Sequence, residues 1–94
     1  MMNEYKNSIK RVKKLLDIVE HKLSKREDPI IIEKILIGID TILLKIYNMD
    51  LEQSKKDEII KLHGINVACF KILALAKSFG WEIFSDEIKD KWKI

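Results

Sequence analysis

The sequence offers few side chains that could carry out catalysis or hold a metal ion. It has two histidines, His21 and His63, and one cysteine, Cys69. A catalytic nucleophile needs a base beside it, and a zinc site needs ligands at short fixed spacing, but no His-Glu-x-x-His, Cys-x-x-Cys or glycine-rich phosphate loop occurs. The carboxylates of Asp86 and Asp90 have the spacing of a solvated helix face. We therefore expect no enzyme activity, no metal, no cofactor and no small-molecule substrate.

Cys69 has the neighbours of a core residue. Phe70 and Leu73 lie with it on an apolar helical face, where a free cysteine packs as a small hydrophobic side chain. Because Cys69 is the only cysteine, an internal disulfide is excluded, which fits a reducing compartment.

The charge pattern predicts a soluble cytoplasmic protein. The first six residues, MMNEYK, lack the apolar stretch of a signal peptide. Charged side chains interrupt the densest apolar run, residues 30–47, whereas a membrane span needs about 20 mostly uncharged residues. We expect this run to be a buried helix and the protein to have no membrane partner.

Length and composition predict a single domain over residues 1–94. Hydrophobic residues make up 47% of the chain, which excludes a disordered polymer, and aromatic residues only 7%, which predicts an aliphatic core. The net charge of +3 is modest for a protein whose task is to coat DNA.

The first predicted helix carries one apolar stripe with alternating spacings of four and three residues. That spacing is typical of a helix packed in a bundle. The opposite face is mostly charged. The stripe consists of Tyr5, Ile9, Val12, Leu16, Val19 and Leu23.

The second predicted helix spans about residues 29–48 and is apolar over nearly half its circumference. Asp28 is a suitable N-cap. Pro29 suits the first helical position, because a backbone N–H there would have no partner within the helix and its absence costs nothing. A helix this apolar is expected to lie centrally or to contact a second partner. Its apolar residues are Ile31, Ile32, Ile35, Leu36, Ile39, Ile42, Leu43, Ile46 and Tyr47.

A third helix is predicted over about residues 51–79. Asp50 or Ser54 is its expected cap, and Gly80 fits the position where positive φ ends a helix. Its apolar residues are Ile59, Leu62, Ile65, Val67, Cys69, Phe70, Ile72, Leu73, Leu75, Ala76 and Phe79.

A short fourth helix is predicted to follow, capped by Ser85 and presenting Ile88 and Trp92. Hairpin turns and period-two alternation are absent from the sequence, so strands are not expected. The predicted fold class is all-α: a small up-and-down bundle of three long helices plus a short C-terminal helix.

Residues Glu58 to Leu73 resemble a helix-turn-helix. The resemblance implies a turn at Gly64, an inward Ile65 and a recognition helix capped by Asn66. Base readout needs several hydrogen-bonding side chains in the groove, and only Lys71 supplies one there. The groove positions would be Val67, Ala68, Lys71, Ile72 and Leu75. A single helix running through Gly64 is therefore the preferred interpretation, and a DNA-binding regulator is the alternative.

Two family resemblances supply further alternatives. Ile39-Asp40 in the second helix and Lys55-Lys56 at the start of the third resemble the BAG chaperone-cofactor domain. In size, charge and helical class the chain is also similar to bacteriocin immunity proteins. These resemblances imply a chaperone-cofactor-like or immunity-protein-like helical bundle.

Exposed lysines could contact phosphates without reading sequence, because each contact releases a counterion. No aromatic residues interleave them, so they predict no stacking platform for single strands. The alternative is an ordinary solvated face. The candidate nucleic-acid contacts are Lys6, Lys10, Lys13, Lys14 and Lys71.

Apolar residues exceed what so small a core can bury, and both tryptophans lie in the last fourteen residues. We therefore predict a non-catalytic accessory subunit that docks by helix packing onto a larger intracellular complex, first of all a nucleic-acid-processing machine such as a replicative DNA polymerase. A homo-oligomer is the other possible partner. The candidate interface residues are Ile37, Leu44, Leu75, Trp81, Phe84, Ile88 and Trp92.

Overall fold

A computed structural model describes residues 2–81, which form three helices. They are α1 (Met2–Ser24), α2 (Pro29–Tyr47) and α3 (Gln53–Phe79). No strand occurs within residues 2–81. The predicted all-helical class and its three long helices are confirmed, whereas the predicted fourth helix from Ser85 lies outside the described residues.

Local hydrogen bonds place the ends of α2 and α3. The amide of Ile30 donates to Asp28 Oδ1 at 3.0 Å, with Pro29 as the first helical residue. Gly80 has φ 83°, and its amide donates to the carbonyl of Ala76 at 2.8 Å. Both ends are those that the sequence predicts, because Asp accepts the first free N–H groups and Gly adopts positive φ without strain.

The predicted cap of the third helix is wrong. Neither Asp50 nor Ser54 is the N-cap; that position is Glu52, whose side chain makes no capping hydrogen bond. The amides of Lys55 and Lys56 donate to the backbone carbonyl of Glu52 at 3.0 and 3.2 Å, so the first turn closes on this residue.

The core is aliphatic and draws on all three helices. Every residue of the apolar stripe predicted in α1 is buried. In α2, Ile31 and Tyr47 are exposed although the pattern predicts them on the apolar face, and in α3 Ile65 and Phe79 are exposed too, because these four lie at the edges of the buried surfaces. The fully buried large side chains are Val12, Val19, Ile32, Leu36, Ile39, Leu43, Ile46, Leu73 and Asn66.

Polar contacts between helices fix their directions. Lys45 Nζ lies 3.3 Å from Glu4 Oε1, so the end of α2 meets the start of α1. Lys77 Nζ lies 2.7 Å from Glu33 Oε2, so the end of α3 meets the start of α2. Helices adjacent in sequence therefore run antiparallel, and α2 packs more extensively against α1 and α3 than these two pack against each other.

Two neighbouring residues of α2 test this packing. Leu36 is 0% exposed and Ile37 is 52% exposed. Leu36→Ala should lower the free energy of unfolding by about 2–5 kcal/mol, because it leaves a cavity in the centre of the core. Ile37→Ala should change it by less than about 0.5 kcal/mol. Urea denaturation followed by circular dichroism measures both, and equal losses would contradict the assignment of the buried face.

Candidate functional site

The helix α3 runs through Gly64 without a break. The turn that the helix-turn-helix resemblance implies is therefore absent, and Asn66 does not cap a second helix. Its side chain is fully buried against α2. Ile65, expected to point inward in that motif, is exposed.

Asn66 is the buried polar residue of the described core. Its Nδ2 donates to the carbonyl of Leu36 at 3.1 Å and to Asp40 Oδ1 at 2.8 Å. Its Oδ1 is buried without a hydrogen-bond partner. Sliding of α3 along α2 would break both of these hydrogen bonds, and the buried Oδ1 already lacks a partner. This side chain is therefore sensitive to the relative position of the two helices.

An open apolar groove lies beside this pair, between α2 and α3. Its volume is about 360 Å³, and seven residues line it. The floor is formed by the buried Leu43 and Ile59, while Leu44 is 65% exposed and Ile60 is 52% exposed at the rim. The complete lining is Asp40, Leu43, Leu44, Tyr47, Ile59, Ile60 and His63.

Polar side chains of α2 and α3 contact each other along the line where the two helices meet. Lys56 Nζ lies 5.5 Å from the centre of the Tyr47 ring at one end, and the Glu33–Lys77 ion pair lies at the other. Between them, His63 Nδ1 is 3.3 Å from Asp40 Oδ1. The groove therefore has an apolar floor and a half-exposed carboxylate on its lining, with a lysine over the Tyr47 ring at one end.

The structure separates the predicted interface residues. Leu44 is exposed at the groove rim, and Ile37 is exposed two turns earlier on the same side of α2 but does not line the groove. Leu75 and Trp81 are half-buried and pack against the core, so only part of each is open to a partner. The other three predicted interface residues, Phe84, Ile88 and Trp92, lie outside the described residues.

The predicted nucleic-acid contacts do not form one surface. Four exposed lysines lie on α1: Lys6, Lys10, Lys13 and Lys14. Lys71 lies on α3 and, eleven residues from Ile60, shares the groove side of that helix, since about 100° per residue brings the two within roughly 20°. The structure brings the α1 lysines together and leaves Lys71 apart.

Lys13 is already engaged. Its Nζ lies 3.1 Å from Glu58 Oε1, and Tyr5 OH donates to Glu58 Oε2 at 3.2 Å. The hydrogen bond from Lys13 lowers the pKa of Glu58 against the opposing effect of burial. A phosphate at Lys13 would have to compete with this carboxylate.

The described residues supply no metal-binding cluster. No group of three or more His, Cys, Asp and Glu side chains within residues 2–81 could hold a metal ion. Cys69 is buried, and burial raises the pKa of its thiol, so the reactive thiolate is suppressed. The lining that includes the His63–Asp40 pair contains no serine, threonine or cysteine.

In the described part of the chain, one helix is long and apolar enough to cross a membrane by length and composition. It is α3, not the run over residues 30–47. A core helix passes the same test, and α3 packs its buried face against α1 and α2.

Comparisons of the chain with protein-family models, curated proteins and solved structures found no match.

Of the seven residues that line the groove, sequence patterns predicted Leu44 as an interface residue and missed the other six. The cross-helix contacts that group them join residues more than twenty positions apart in the sequence, as in the His63–Asp40 pair. Ile60 carried a usable signal, because it lies off the buried stripe of α3 and is nevertheless aliphatic.

Replacing Gly64, inside α3, and Gly80, at its C-terminal end, should have opposite effects on stability. A Cβ added at Gly64 meets nothing within 4 Å, so Gly64→Ala should raise the free energy of unfolding by up to about 1 kcal/mol through helix propensity. Gly80→Ala should lower it by about 1 kcal/mol, because φ there is 83°. Thermal and urea unfolding measure both, and a loss of stability in Gly64→Ala would indicate a turn at that position.

Asn66→Asp tests the buried polar contact. The introduced carboxylate would lie in the core facing the Asp40 carboxylate and the Leu36 carbonyl, so we expect a loss of about 3–5 kcal/mol at pH 7. Burial raises the pKa of a carboxyl group, so the loss relative to wild type should shrink as the pH falls and the group becomes neutral.

The matched control is Asn7→Asp on the exposed face of α1, which should change stability by less than about 0.5 kcal/mol. Equal urea midpoints for the two variants would show that Asn66 is not buried against α2.

Proposed function

We propose that this protein is a non-catalytic accessory subunit that docks onto a larger intracellular complex through the groove between α2 and α3. The observation that carries the proposal is the open apolar floor of that groove, with Leu44 and Ile60 exposed at its rim. Apolar side chains gathered on both sides of a groove mark interaction sites, whereas scattered ones need no explanation.

The distribution of charge supports a nucleic-acid-processing machine, such as a replicative DNA polymerase, as the first partner to test. Lys6, Lys10 and Lys14 are exposed on α1, the helix that contributes no residue to the groove lining. A partner could therefore occupy the groove while these lysines face the phosphates of a nucleic acid without reading its sequence.

We also propose the fold of the whole chain and its cellular compartment. The fold is an up-and-down bundle of three long helices with the short C-terminal helix predicted from Ser85, and the location is the cytoplasm. The antiparallel contacts Glu4–Lys45 and Glu33–Lys77 support the bundle, and the single free cysteine supports the reducing compartment.

Affinity capture from native lysate tests the function. The full chain serves as bait, and parallel arms use nuclease treatment and elution with a salt gradient. We expect a stoichiometric protein partner that survives nuclease and high salt, because apolar contacts are insensitive to screening. Recovery only of nucleic acid, lost with nuclease, would contradict the proposal.

Neutral substitutions in the groove identify the surface. Leu44→Gln combined with Ile60→Gln should reduce capture at least tenfold, because both apolar rims are removed without a change of charge. The matched control combines Ile31→Gln with Ile65→Gln. These residues are exposed on the same two helices and lie about 140° around them from Leu44 and Ile60. Equal capture by the two double variants would place the docking surface elsewhere.

A further inference from the structure

We propose that the α2–α3 groove binds one amphipathic α-helix of the partner, with a lysine or arginine that pairs with Asp40. This inference rests on the proposed function, because it names the class of partner segment that the groove accepts.

The dimensions of the groove select a single helix. The groove lining on α2 runs from Asp40 to Tyr47, which at 1.5 Å per residue is roughly 10 Å, or about two helical turns. Two packed helices lie about 10 Å apart, so the lined strip covers on the order of 100 Å² in projection. A stable dimer buries roughly 800 Å² on each partner, so this strip fits about two turns of one helix better than a second copy of the chain.

The lining specifies the apolar side of that helix. Leu43 and Ile59 form a floor from two antiparallel helices, and Leu44 and Ile60 stand at the rim on either side. A helix lying along such a groove inserts side chains from positions i, i+3 or i+4, and i+7. Unbranched or γ-branched aliphatic residues at these positions would cover the floor.

Asp40 specifies the polar side. Both of its contacts are made by Oδ1, which accepts from Asn66 Nδ2 at 2.8 Å and lies 3.3 Å from His63 Nδ1. Among the described residues, Oδ2 makes no hydrogen bond or ion pair. A helix that covered the groove would take this carboxylate out of water, and an unpaired buried charge is costly.

Asp40 is the carboxylate among the seven lining residues. Lys77 is paired with Glu33, and Lys56 and Lys71 lie outside the lining. Asp40 is therefore the lining group that a cation from the partner would neutralise. A lysine or arginine on the helix supplies both the positive charge and the hydrogen-bond donor.

A selection with a displayed peptide library tests this inference. The probe is a library of 16-residue helix-biased peptides with all twenty amino acids at eight central positions, and the bait is the full chain. Counter-selection uses the Leu44→Gln, Ile60→Gln double variant. We expect enriched peptides to carry aliphatic residues at i, i+4 and i+7 and a lysine or arginine between them.

One enriched peptide then enters a double-mutant cycle by fluorescence anisotropy. Asp40→Asn keeps an oxygen for Asn66 and should weaken binding about five- to tenfold. Replacing the basic residue of the peptide by glutamine should weaken binding to wild type equally and leave no further effect of Asp40→Asn. The Ile31→Gln, Ile65→Gln variant should bind as wild type does.

Three results would overturn the inference: no enrichment over the counter-selected variant, enriched peptides without a basic residue, or no effect of Asp40→Asn. Sedimentation of the full chain as a dimer that the groove variant dissociates would also overturn it, because a second copy would then fill the groove. If lysate capture depends on Leu44 and Ile60 but the library yields no basic helices, the proposed function stands and this inference fails. If the library yields basic helices that bind the groove but lysate capture fails, the groove accepts such a helix and the proposed accessory-subunit function fails.

Discussion

The surface of this protein follows from the position of α2, which is apolar over nearly half its circumference and has only two described helices to pack against. One flank meets α1 and the other meets α3, and together they bury Ile32, Leu36, Ile39, Leu43 and Ile46. The remaining apolar residues on the α3 side, Ile37 and Leu44, stay exposed. Because burial of apolar surface stabilises any further association, this uncovered flank is where the fold can gain most from a partner.

Asn66 makes the pairing of α2 with α3 specific. Aliphatic residues alone tolerate sliding of one helix along another, whereas hydrogen bonds to the Leu36 carbonyl and the Asp40 carboxylate exist at one relative position only. This position also sets Asp40 beside His63 at the groove. The contact that fixes the helix pair thus places the charge that we propose the partner reads.

The periodic parts of the sequence predicted the fold well, for a physical reason. The α1 stripe has one apolar side and one charged side, so burial follows directly from spacing, and all six of its residues are buried. Asp28, Pro29 and Gly80 mark helix ends because their effects are local to the backbone. The N-cap of α3 was missed because Glu52 acts through its backbone carbonyl, which leaves no mark in side-chain type.

The site was predictable only in part. Ile37 and Leu44 were found because they lie off the main stripe of α2. Ile60 and His63 lie in the stretch that resembles a helix-turn-helix, which was the alternative to the preferred single helix through Gly64. The single helix is what forms, and Asn66 makes two hydrogen bonds to α2 inside it. Such cross-helix contacts cannot be read from spacing along one helix.

The central claim is that a partner covers the α2–α3 groove, and protection of a thiol placed there tests it most directly. Cys69 is buried with a raised thiol pKa and supplies little background reaction. The measurement is the rate of alkylation of the Leu44→Cys variant, free and in the captured complex, beside the same pair of rates for Ile31→Cys. The account predicts that the complex slows alkylation at position 44 at least tenfold and leaves position 31 unchanged. Equal rates at position 44 in the free and captured protein would contradict it.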